Sequence, residues 1–95
     1  MLYTLLQSPW QCDLDSLLLL LQEGDDLLLL QDGVTAALSG SPMLQKLAAS
    51  PATLWVLEED VAARGLAAQI STNIARLDYT GFVALTIKHQ QQVAW

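Results

Sequence analysis

Gly24-Asp25-Asp26-Leu27-Leu28-Leu29-Leu30-Gln31-Asp32-Gly33 decides the fold. Four leucines in a row without polar alternation fit a strand covered on both faces, as in a parallel sheet. Gln31-Asp32-Gly33 reads as the turn that leaves it. Upstream, Leu14, Leu17, Leu18 and Leu21 fall at i, i+3, i+4 and i+7, one face of a helix. Leu19 and Leu20 widen that stripe beyond what one sheet face requires. Ser8-Pro9-Trp10-Gln11 is a helix-start signal, with Ser8 as N-cap and Pro9 at the first position. Asp13 offers an alternative cap one turn later. Gly24 fits the residue that closes the helix. Met1 to Leu6 reads as a short first strand.

Downstream the alternation continues. Val34 to Leu38 fits one helical turn, and Ser41-Pro42 starts a short helix through Met43, Leu44 and Leu47 that Ser50-Pro51 stops. Thr53 to Leu57, TLWVL, is a third buried strand. Glu58, Glu59 and Asp60 open a helix that ends on Arg64 and Gly65, charges that suit the helix dipole. Leu66 to Ile70 fits another turn. Ile74 to Leu77 is a weak fourth strand. Asp78 caps a last helix, Tyr79 to about His89, with Phe82, Val83 and Thr86 expected inward. Val93-Ala94-Trp95 is a terminal strand. Strands alternating with helices predict an α/β fold with a mostly parallel sheet, in one domain spanning residues 1–95.

The composition explains little by itself but excludes much. The 95 residues are 53% hydrophobic and 15% charged, and they include 21 leucines. Intrinsic disorder needs the opposite balance. The net charge of −6 disfavours direct contact with nucleic acid or an anionic membrane. A membrane-spanning helix needs about 20 apolar residues, and Glu23, Asp25 and Asp26 split the leucine runs. No basic stretch precedes Pro9-Trp10-Gln11, so no signal peptide is expected and the expected location is the cytoplasm. The single cysteine excludes an internal disulfide framework or a cysteine-based zinc cluster. So small a core cannot hide this much leucine, which points to an obligate oligomer.

The candidate chemistry is sparse. Cys12 lies near a helix start, where a thiol becomes more acidic, but Asp13 and Asp15 oppose the thiolate and no base is nearby. It reads as an incidental thiol. Asp32, Glu58, Glu59, Asp60 and Asp78 follow strand ends, where open α/β sheets bind ligands and carboxylates can hold magnesium. Helix capping accounts for them more simply. Lys88 and His89 suit the negative end of the last helix. No phosphate-binding loop or nucleophile elbow occurs, and no cofactor or metal is expected. Trp55 reads as core. Trp10 and Trp95, near the chain ends, suit interface anchoring as well as core filling.

Taken in order, Ser8-Pro9-Trp10, Glu23-Gly24-Asp25, LLLLQDGV (27–34), Glu59-Asp60, Ala63-Arg64-Gly65-Leu66, Gln69-Ile70-Ser71, Asp78-Tyr79, Lys88-His89 and Val93-Ala94-Trp95 resemble the TusB/DsrH-like family of sulfur-relay subunits. The resemblance covers essentially the whole chain. It implies a three-layer α/β/α sandwich with a five-stranded sheet, of the DsrE/DsrF/DsrH fold group. It implies a heterohexamer with TusC-like and TusD-like subunits, two copies of each. That complex relays persulfide sulfur from TusA to TusE and on to MnmA, for 2-thiolation of the tRNA wobble uridine. The sulfur-carrying cysteine belongs to the TusD-like subunit, and the chain read here takes a structural role. Relatives from sulfur oxidisers carry a cysteine on the first helix, at about Leu17 in this sequence. Leucine cannot carry persulfide, and Cys12 lies about five residues away. A persulfide carrier using Cys12 is the alternative reading. The resemblance leaves Trp10, Leu19, Leu20 and Trp95 as candidate contacts with sister subunits, and the apolar area left over predicts self-association when the chain is isolated.

Overall fold

A computed structural model describes residues 1–95. Five parallel strands, β1 (Leu2–Leu5), β2 (Asp26–Leu29), β3 (Thr53–Leu57), β4 (Ala75–Leu77) and β5 (Gln92–Ala94), lie in the order β4-β3-β2-β1-β5. The helices are α1 (Leu14–Leu20), α2 (Pro42–Ala48), α3 (Glu58–Ala63) and α4 (Tyr79–Lys88), with a 3-10 helix over Gln31–Ala37.

The strand order explains the layers. From β1 to β4 the chain steps across the sheet in one direction, and right-handed crossovers put every connection on one face. There α1, the 3-10 helix, α2 and α3 cover Tyr3, Leu5, Leu27, Leu29 and Val56. The β4-to-β5 connection must cross back over three strands, so the same handedness throws α4 onto the opposite face. It alone covers Leu2, Leu28, Leu30 and Leu57, through Leu85 and the half-buried Phe82. Leu27 to Leu30 are all buried, because alternate residues serve the two layers.

The local signals hold in part. Ser41 caps α2, its hydroxyl accepting from the Met43 amide at 3.3 Å, and Asp78 caps α4, accepting from the Gly81 amide at 2.8 Å. Of the two candidate caps for the first helix, Asp13 serves: its carboxylate accepts from the Ser16 amide at 3.1 Å. Ser8 makes a turn instead, its hydroxyl accepting from the Trp10 amide at 3.3 Å. The helix closes earlier than Gly24, because Leu21 turns extended and drops into the core at 5% exposure. Gly24 lies in the following turn at φ +91°. Val83 is a clear departure from the expected inward set: it is exposed, and Leu85 is the buried residue of α4.

Gly33 allows the chain to turn under the sheet. A Cβ there would collide with the backbone carbonyl oxygen of Leu5. The preceding Gln31 takes φ +52°, and the Asp60 carboxylate accepts its amide proton at 2.6 Å.

Candidate functional site

Neither position that could carry a sulfur nucleophile presents one. Cys12 is half-buried, and its thiol is pushed above its ordinary pKa by burial and then by the adjacent Asp13 charge. Since the thiolate is the reactive form, this shift disfavours reaction at Cys12. Leu17 is fully buried on the inner side of α1. A side chain there meets the sheet rather than a partner protein.

Of the five carboxylates beyond the strand ends, Glu58 is exposed and the other four are spent on local structure. Glu59 accepts from the Tyr79 amide at 2.9 Å, Asp60 from the Gln31 amide, and Asp78 from the Gly81 amide. Asp32 pairs with Arg64 at 3.1 Å. No three His, Cys, Asp or Glu side chains converge in a geometry able to hold a metal ion.

The polar feature that sequence reading missed is at the opposite end of the sheet. Asp26, the first residue of β2, is 1% exposed. Its Oδ1 accepts from Trp55 Nε1 at 2.9 Å. Its Oδ2 meets Lys88 Nζ at 2.9 Å and His89 Nε2 at 2.7 Å. Burial raises the Asp26 carboxyl pKa, but the bonds from His89, Trp55 and Lys88 outweigh it and hold the group below its ordinary value. A buried carboxylate satisfied by three donors is a structural clasp. It ties the end of α4 to β2 and β3. Met1, Lys88, His89, Gln90 and Gln91 line a wide-mouthed depression of about 490 Å³ beside it. The clasp was visible only as the second of two acids before a leucine run and a lone His 63 residues later. Asp26 shares the face of Leu28 and Leu30 by strand alternation, and that inward position was the available signal.

Several large apolar side chains are exposed. On the layer carrying α1, Trp10 is 70% exposed and Leu19 87%, with Leu20 also exposed. Trp95 differs from these: it packs half-buried against the core, and its Nε1 donates to the Asp13 carbonyl at 3.0 Å. A second ridge lies on α4, where Tyr79, Val83 and Ile87 are exposed at i, i+4 and i+8. Sequence periodicity did not separate them from Phe82 and Leu85, because α4 is apolar on nearly every side.

A small all-parallel five-stranded α/β domain with exposed apolar ridges is therefore the class of protein that fold and surface define. The family model described as DsrH-like protein matches residues 7–92. The chain is 60% identical over 95 residues to Protein TusB of Sodalis glossinidius (strain morsitans), covering all of both chains. It is 58% identical to Protein TusB of Yersinia pestis (strain Pestoides F) and 54% to that of Klebsiella pneumoniae (strain 342), again over the full length of each. The solution structure of protein Tm0979 from Thermotoga maritima shares the fold, with a TM-score of 0.66 at 22% identity over 96% of this chain and 97% of that one. The chain belongs to the DsrH-like family.

Proposed function

We propose that the chain, acting as one domain over residues 1–95, is a non-catalytic TusB-like subunit of a sulfur relay that modifies tRNA. The full-length identity to proteins named TusB carries this reading. In it, TusC-like and TusD-like subunits join this chain in a heterohexamer. Sulfur passes from TusA through the TusD-like subunit to TusE and MnmA in the cytoplasm, for 2-thiolation of the wobble uridine. The absence of a membrane-length apolar helix is compatible with that setting.

The surface chemistry supports a docking role. Leu19 is held in water by a short helix whose inner face is already occupied by Leu14 and Leu17. Acids flank it in the chain: Asp13 and Asp15 before, Glu23 after, all exposed. Two copies of such a surface would oppose acid to acid, so it suits a different subunit with a basic rim. The raised Cys12 pKa weighs against the persulfide-carrier alternative.

Co-expression with TusC-like and TusD-like partners, followed by light-scattering mass measurement, tests the proposal. The expected result is a stoichiometric three-subunit complex that Leu19→Glu weakens. A chain that purifies alone while its partners assemble without it contradicts the proposal.

A further inference from the structure

We propose that Asp32 is a site of spontaneous isoaspartate formation, and that the folded chain holds the reaction in check through Arg64, Thr35 and the Leu30 carbonyl. This proposal does not rest on the relay reading. Asp32-Gly33 is the only place in the chain where an Asp or Asn precedes a glycine. In such a pair the glycine amide nitrogen attacks the side-chain carboxyl carbon. Glycine allows this best, because it has no Cβ to shield its nitrogen and its backbone turns freely. The amide N–H and the carboxyl group lose water and close a five-membered succinimide. Water then opens the ring at either carbonyl. Opening at the side-chain carbonyl restores aspartate. Opening at the backbone carbonyl leaves the chain running through Cγ, which is isoaspartate. Mass is conserved, and water is the only co-reactant.

The fold requires the reactive glycine. A Cβ at position 33 would strike the Leu5 carbonyl oxygen. That oxygen also accepts from the Leu30 amide at 3.1 Å, so it cannot retreat without opening the junction of β1 and β2. No larger residue can therefore shield the nitrogen. Protection comes instead from a restraint on each group that has to move. The attacking Gly33 nitrogen donates its proton to the Leu30 carbonyl at 3.0 Å. The Asp32 carbonyl, which becomes the second ring carbonyl, accepts from the Thr35 hydroxyl at 2.8 Å. The Asp32 carboxylate is drawn toward α3, where Oδ1 accepts from Arg64 Nε at 3.3 Å and Nη2 at 3.1 Å. Arg64 is itself tied down, its Nη1 donating to the Asp60 carbonyl at 3.4 Å. The Asp32 side chain is 66% exposed, so water reaches it and Arg64 alone fixes its direction. The product cannot keep the same turn. Isoaspartate adds one carbon atom to the backbone beside Gly33, where there is no room even for a methyl group.

The test incubates the full chain at neutral pH, folded and in urea, and counts isoaspartate at residue 32 by fragmentation mass spectrometry. The chain in urea should isomerise severalfold faster than the folded wild type. Folded Arg64→Gln should also isomerise severalfold faster than the folded wild type, while far-UV circular dichroism verifies that the variant folds. Asp13→Ala loosens α1 without touching Asp32, so it separates a local guard from a general loss of stability. It should isomerise at the wild-type rate. The isomerised chain, isolated by ion exchange, should unfold at a lower urea concentration than its parent. No isoaspartate in urea, equal rates folded and unfolded, or an Arg64→Gln chain no faster than wild type overturns the proposal. So does equal acceleration by Asp13→Ala, or an isomerised chain as stable as its parent.

Discussion

Replacing Asp26 by Asn removes one charge from the buried clasp and almost nothing from its shape. The amide oxygen can still accept from Trp55 Nε1, at the place where Oδ1 lies 2.9 Å away. The amide nitrogen then stands where Oδ2 received Lys88 at 2.9 Å and His89 at 2.7 Å. A hydrogen bond to a charged group contributes about 1.5–3 kcal/mol. Lys88 has a 61% exposed side chain and rehydrates, so its share is small. His89 has a side chain only 8% exposed and does not. The expected cost at neutral pH is about 2 kcal/mol, or a fall in Tm of roughly 8–16 °C for a domain of this size. The pH dependence gives the sharper signature. The folded Asp26 carboxyl titrates below its ordinary value of 3.8. Its contribution is therefore complete above that value and lost as pH falls through the lower, folded one. Urea unfolding followed by tryptophan fluorescence should show a constant gap between wild type and variant from about pH 7 to pH 5, narrowing below about pH 4. Equal stability at neutral pH, or a gap that stays constant into acid, refutes the reasoning.

Other substitutions test other parts of the account. Gly33→Ala drives a methyl group into the Leu5 carbonyl, an overpacking cost of about 1–3 kcal/mol measurable as a lower urea midpoint. Asp13→Ala removes the cap of α1 and should lower the urea midpoint in the same assay. Leu17→Ala opens a cavity under α1 and should cost about 2–5 kcal/mol. Leu17→Cys should resist alkylation in the folded protein, since the position is fully buried, and react only after unfolding.

Residues whose environment is set by near neighbours could be read from sequence. The strand at Leu27 to Leu30 has no polar side to offer, so only a doubly covered central strand fits it. Ser41 and Asp78 cap helices because each offers an oxygen three or fewer residues from unpaired amides. What sequence did not decide depended on distant contacts. Ser8 and Asp13 are both adequate caps, and the need to bring Leu14 and Leu17 onto the sheet selects Asp13. Leu85 displaces Val83 from the core because α4 crosses the sheet alone, and a helix with apolar residues on nearly every side carries little periodic signal to orient it. The clasp joins Asp26 to residues more than 60 positions away, which no local pattern encodes. The charge of Asp13 beside Cys12 is legible in the sequence, but burial, the larger cause of the raised thiol pKa, is not.

The central claim is that this chain serves the relay through its surface and not through a thiol. The most direct measurement is the 2-thiouridine content of tRNA from cells in which the protein is replaced by either Cys12→Ser or Leu19→Glu. The account predicts wild-type thiolation with Cys12→Ser and a marked loss with Leu19→Glu. Loss of thiolation with Cys12→Ser, in a variant that folds and assembles normally, would contradict it.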